Sequence, residues 1–153
     1  MPGRTTAPIR AATLADLDAL VALENATFAS DRISRAQWRR HVASTTAAVL
    51  VSGAPGRVHA AAMVFYRKHA HVARLYSLAV GAGCRGTGLG AALLAGAEAD
   101  ARRHGCRALG LEVRIDNQAA IALYERRGYQ RMARLAGYYE DGADGWRYRK
   151  MLA

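Results

Sequence analysis

Arg85-Gly86-Thr87-Gly88-Leu89-Gly90-Ala91 stands between two stretches of opposite character. Before it, Val72–Val80 is a β-like run. After it, residues 89 to about 104 have helical character, and Gly105 stops the helix. A glycine-rich strand-to-helix turn lets consecutive N–H groups point at one anion. The helix behind it adds about half a positive charge at its N-terminus. The segment has the make-up of a pyrophosphate seat. Three readings stay open on these residues alone. Gly86-x-Gly88-x-x-Ala91 fits the dinucleotide pattern G-x-G-x-x-G/A. Arg85-x-x-Gly88-x-Gly90 fits a second kind of phosphate loop, and an ordinary turn needs no ligand.

Upstream, Pro8-Ile9-Arg10-Ala11 reads as a short first strand. Thr13 reads as the N-cap of a helix carrying Leu14, Leu17, Leu20, Val21 and Leu23 through about Phe28. Ser34 with Gln37 three residues on resembles a capping box, opening a helix from Arg35 to about Val42. Ala47–Ser52 and residues 57–65 are β-like runs split by Gly53-Ala54-Pro55-Gly56, a strong turn signal. Links this short make the meander up to Val80 antiparallel. Downstream come a strand at 108–113, a helix over about 118–127 ended by Gly128, and strand-like stretches near 129–135 and 146–152. The order β-α-α-β-β-β-α-β-α-β-β predicts an α/β (α+β) fold. Its central sheet is mixed and mostly antiparallel, with flanking helices and one parallel crossover at the glycine turn. An antiparallel meander ahead of the turn speaks against the dinucleotide fold, whose glycines close the first turn of a parallel unit.

With 153 residues, 52% hydrophobic and 22% charged, the chain is expected to form a single domain over 1–153 with a core of its own. No apolar run reaches the ~18 residues of a membrane span, and the start Met1-Pro2-Gly3-Arg4-Thr5-Thr6 lacks the apolar block of a signal peptide. Cys84 and Cys106 make no disulfide framework, so a cytoplasmic protein with reduced thiols is expected. No metal site is expected from His69, His71 or His104. The formal net charge of +10 favours anionic partners. It comes almost wholly from arginine, 20 against two lysines, and so is partly compositional. Arg102, Arg103, Arg107, Arg126, Arg127, Arg131 and Arg134 make either a basic patch or simply solvated faces.

The segment Leu111-Glu112-Val113-Arg114-Ile115-Asp116-Asn117-Gln118-Ala119-Ala120-Ile121-Ala122-Leu123-Tyr124-Glu125-Arg126-Arg127-Gly128-Tyr129 follows the glycine loop. Together the two resemble the GNAT acetyltransferase superfamily, and within it the ribosomal-protein-alanine N-acetyltransferases that act on protein N-termini. On physical grounds, a mid-strand Glu112 in an apolar run is either on a wet face or a base. Tyr124 is either a core tyrosine or an acid, and Asn117 is a helix cap.

The resemblance implies direct acetyl transfer from acetyl-CoA to a primary amine, with Glu112 as base and Tyr124 protonating the departing thiolate. It implies cofactor contacts from Leu78, Ala79 and Val80, from Arg85, Gly86, Thr87, Gly88, Leu89, Gly90 and Ala91, and from Asn117. It also implies acceptor contacts from Phe28, Tyr138 and Tyr139. In place of the relatives' Trp- and Pro-containing stretch, this chain carries Phe28-Ala29-Ser30-Asp31-Arg32-Ile33-Ser34. The implied partner is an amine acceptor, a peptide N-terminus or a small amine; nucleic acid and membrane are not expected, and the chain is read as a monomer or homodimer. Glu140, Asp141 and Asp144 either attract a cationic acceptor or solvate a turn. Cys84 as a covalent nucleophile is the rival, with no histidine beside it in sequence.

Overall fold

Main-chain capping sets the first helices. In the computed structural model, which describes residues 8–153, Thr13 and Asp16 form a reciprocal capping box around a single 3₁₀ turn, Leu14–Asp16. The chain then continues into α1, Leu17–Thr27. Ser34 and Gln37 form the predicted box at the start of α2, Arg35–Val42. The strands are β1 (Ile9–Ala11), β2 (Ala47–Ser52), β3 (Ala60–Phe65), β4 (Val72–Val80), β5 (Ala108–Arg114), β6 (Gln130–Leu135) and β7 (Gly145–Met151). Helices α3 (Leu89–Arg103) and α4 (Gln118–Arg126) complete the order. The predicted strand from 57 begins only at Ala60, because the Gly53–Gly56 turn extends into it. The Met1–Thr6 stretch, read as lacking a signal block, lies outside the described residues.

The seven strands form one sheet in the order β1-β2-β3-β4-β5-β7-β6. Every pairing is antiparallel except β4 with β5, as the crossover through α3 requires. Each face buries its own apolar cluster. One holds Leu93, Leu94, Ala97 and Ala101 of α3 with Leu109, Leu111, Val113, Tyr124 and Tyr148. The other holds Leu17, Leu20 and Leu23 of α1 and Trp38 of α2 with Val49, Val51, Ala61 and Met63. β3 is buried on both sides, so it reads as a continuous apolar run and not as an alternation.

A bulge in β4 changes which side chains meet each face. Met63 pairs with Ser77 and Val64 with Leu75, leaving Tyr76 as an extra residue. An inserted residue reverses the side-chain phase. Ala73 and Leu75 face α3 before the bulge, whereas afterwards Leu78 and Val80 take that face and Ala79 joins the opposite cluster. The parallel ladder of β4 with β5 ends at the same place, Leu75 opposite Leu111. Beyond it the two strands have no pairing, and the edge of β4 over Leu78, Ala79 and Val80 that faces β5 is left without a strand partner.

At the far end of this scaffold, Asp16 is fully buried and accepts from Arg10 (2.8 Å twice), Thr13 N–H (2.8 Å) and Gly56 N–H (3.0 Å). The Arg10 hydrogen bonds, ahead of an opposing burial effect, hold its carboxyl well below the usual carboxylate range. The stability it contributes is therefore complete at neutral pH and lost only as pH falls below about 4 toward the folded-state value.

Candidate active site

Val80 leads through a 3₁₀ turn, Ala82–Cys84, into the glycine bend. Gly86 and Gly88 have φ of 77° and 84°, in the left-handed region, and a Cβ added at either would meet nothing within 4 Å. Glycine is needed there for backbone conformation and not for space. Among the described residues, the N–H groups of Gly86, Gly88, Leu89, Gly90 and Ala91 have no protein partner; Thr87 closes the bend internally, its N–H (3.4 Å) and its hydroxyl (2.5 Å) both donating to Cys84 O. The exposed guanidinium of Arg85 is unpaired as well. These free donors at the start of a fifteen-residue helix fit a pyrophosphate. Gly90 ties the bend to the gap between the strands: a Cβ there would sit 3.4 Å from Leu123 of α4 and 3.5 Å from Val80.

Glu112 lies one residue past the end of the β4–β5 ladder, paired across β7 with Arg147. Its side chain is 11% exposed and held in two ion pairs, to Arg74 Nε at 2.8 Å and Arg147 Nε at 3.2 Å. Two guanidiniums thus offset the desolvation of this carboxylate. About four lone-pair sites on a carboxylate leave roughly two for water or substrate. Arg74 also donates to the Tyr138 hydroxyl at 2.8 Å.

Alternation along β5 sends Leu111 and Val113 toward the α3 cluster, which includes Tyr124, and Glu112 to the other face. Carboxylate and phenol thus belong to opposite faces of the sheet. Tyr124 is buried, which raises its pKa above the usual phenol value, with Tyr139 adding to the shift. Its hydroxyl makes no hydrogen bond among the described residues, whereas Tyr129 donates to Glu98 (2.8 Å) and Tyr148 to Glu125 (2.6 Å). A protonated, uncommitted phenol is available as a donor. Burial raises the Tyr139 pKa too, and Tyr138, Glu112 and Tyr124 lie close enough to couple with it electrostatically. The rings of Tyr138 and Tyr139 meet edge to face at 5.0 Å.

The loop before β7 touches the first-half segment after α1. Asp31 accepts from the Glu140 N–H at 3.3 Å, and Phe28 caps α1 and packs on the α1–α2 cluster. Two of the three acidic loop residues are neutralised, Asp141 by Arg114 (2.7 Å) and Asp144 by Arg134 (2.7 Å). Asn117 caps α4, accepting from Ala120 N–H at 3.2 Å. The supposed basic patch is divided, since Arg103 pairs with Asp100 and Arg131 lies 4.0 Å over Trp146. No protein hydrogen bond reaches the Cys84 sulfur, and no group of three or more His, Cys, Asp or Glu is placed to hold a metal, among the described residues. Nor is any of their helices long and apolar enough to cross a membrane.

Three residues here were not singled out from sequence. Arg74 and Arg147 are two arginines among twenty, with no local mark. Glu24 is 2% exposed, its Oε2 accepting from Ile33 N–H at 2.8 Å and its Oε1 buried without a partner. The one signal for it was its spacing, four residues past Leu20, on the apolar face of α1.

Residues 16–129 match the model of the Acetyltransferase (GNAT) family. The fold and this match together define the class: the chain belongs to the Acetyltransferase (GNAT) family. It is 38% identical over 64 residues to N-alpha-acetyltransferase 30 of Schizosaccharomyces pombe, a stretch covering 42% of this chain and 43% of that protein. The match thus spans under half the length of that curated relative. The ribosomal-protein-S18-alanine N-acetyltransferase of Escherichia coli superposes with a TM-score of 0.83 at 27% identity, over 95% of this chain and 94% of that one. A Salmonella typhimurium structure with its cofactor acetyl-CoA shares the fold, with a TM-score of 0.79 at 24% identity over 95% and 94%. Membership in this family removes the dinucleotide reading of the bend.

Proposed function

We propose that the chain, acting as a single cytoplasmic domain, moves an acetyl group from acetyl-CoA to the α-amine of a protein N-terminus. What supports this is the end of the β4–β5 ladder at Leu75, next to the Tyr76 bulge, with Glu112 one residue beyond it and Tyr124 in the cluster on the other face of the sheet. Acetyl-CoA supplies an activated acyl thioester. The free N–H groups of residues 86 and 88–91, with Arg85, hold its phosphates. The unpaired edge of Leu78, Ala79 and Val80 holds its arm and turns N–H dipoles on the acyl oxygen. Asn117 lies at the cap of α4 beside this path.

Glu112 accepts the amine proton, directly or through one water held on its remaining lone pairs. Tyr124 supplies a proton to the leaving sulfur. Phe28, Tyr138 and Tyr139 line the entry of the amine. An α-amine with a pKa of ~7.7–8.0 needs far less from the base near pH 7 than a lysine at ~10.4. Arg74 and Arg147 on the carboxylate weigh against a polyamine, the main small-molecule alternative.

The test is acetyl-CoA consumption against N-terminal peptides, lysine peptides, polyamines and amino acids, with product mass locating the acetyl group. Acetylation confined to polyamines or lysine would overturn the reading. Glu112→Gln should slow turnover about 10²–10⁴-fold with CoA binding intact, and unchanged turnover would remove Glu112 from the mechanism.

A further inference from the structure

Between α2 and the bulged part of β4 lies a cavity of about 250 Å³. That is below the ~300–1,000 Å³ of small-molecule sites and suits an amino-acid side chain. Met63, Phe65 and Ile33 form an apolar floor, Tyr76 one wall, and Gln37, Arg40 and His41 the rim. The Phe65 ring lies 4.8 Å from both the His41 and the Tyr76 rings. Tyr76 in turn sits 5.3 Å beneath the Arg74 guanidinium that holds Glu112. The cavity therefore opens one side chain away from the carboxylate, within reach of a residue near the acceptor's amine, since an extended chain advances ~3.3–3.6 Å per residue.

The rim offers donors and positive charge. Arg40 is exposed and has no ion pair or hydrogen bond among the described residues. The Gln37 Oε1 is occupied by the Ser34 N–H at 2.8 Å, which leaves its NH₂ group as a donor. Burial, and then the neighbouring Arg40 charge, lowers the His41 pKa, so His41 adds no charge at neutral pH. No Asp or Glu lines the cavity. Apolar walls below a cationic mouth match a side chain whose methylenes end in a carboxylate.

We propose that this cavity selects acceptor N-termini bearing Asp or Glu within their first three residues. The inference rests on the α-amine reading above. Its test is kcat/KM for neutral peptides carrying a single Glu, Gln or Lys at the first, second or third position. At one position, Glu should exceed Lys by about five- to twentyfold, the size of one partly exposed charge contact reversed in sign. The excess should shrink as ionic strength rises. Arg40→Glu should turn the order toward Lys, and Arg40→Gln should flatten it. Thermal unfolding near that of the parent checks that each variant is folded.

Equal rates for Glu and Lys at all three positions, or an order that Arg40→Glu leaves unchanged, overturns the proposal while the α-amine reading stands. Refusal of every peptide alongside acetylation of a free small amine overturns both.

Discussion

Around residues 85–91 the proposed binding groups are main-chain N–H groups exposed by two left-handed glycines. Around 28–33 and 138–144 they are side chains, tied across the molecule by Asp31 to Glu140 and within the first segment by Glu24 to Ile33. The first region can be specified by a handful of adjacent residues, because backbone donors follow from local conformation. The second exists only once distant elements meet. In the function proposed above, the first region holds the thioester donor and the second faces the acceptor.

Perturbing each region should therefore disturb different constants. After Glu112, loss of the proposed acid Tyr124 has the largest expected effect. Tyr124→Phe should lower kcat about 10²-fold while leaving CoA and acceptor binding near parent values, as measured by steady-state kinetics and calorimetry. Because burial raises the pKa of this phenol, it stays protonated through the neutral range, and the parent should show no loss of kcat from its ionisation below pH 10. A fall near pH 8–9 that vanishes in Tyr124→Phe would contradict that placement.

On the thioester side, Gly88→Ala forces a Cβ into the left-handed region at about 1–2 kcal/mol. A loss of about tenfold in CoA affinity is expected, with the acceptor KM little changed. Unaltered CoA binding would mean the bend conformation is dispensable. On the amine side, Asp31→Ala removes one exposed tie and should raise the acceptor KM by about threefold, leaving the CoA Kd in place. Were both constants to move together in either variant, the division of labour between the regions would fail.

Most of the fold was legible in the sequence. The N-cap at Thr13, the capping box at Ser34, the Gly53–Gly56 turn and the β4 run each mark their element with local chemistry. The bulge at Tyr76 was not legible, because an extra residue in a strand is defined only by its partner's register. Arg74 and Arg147 were hidden for a related reason: an ion pair spanning three strands leaves no spacing along the chain.

By itself, then, the sequence determined the element order, the flanking helices and the glycine bend, since caps, periodicity and left-handed turns are properties of neighbouring residues. Only the tertiary structure decided that β4 and β5 part after Leu75, that two guanidiniums hold Glu112, and that Tyr76 links this carboxylate to the α2 cavity. Register, desolvation and charge pairing depend on what each group meets across space, and that is fixed only when the chain has closed on itself.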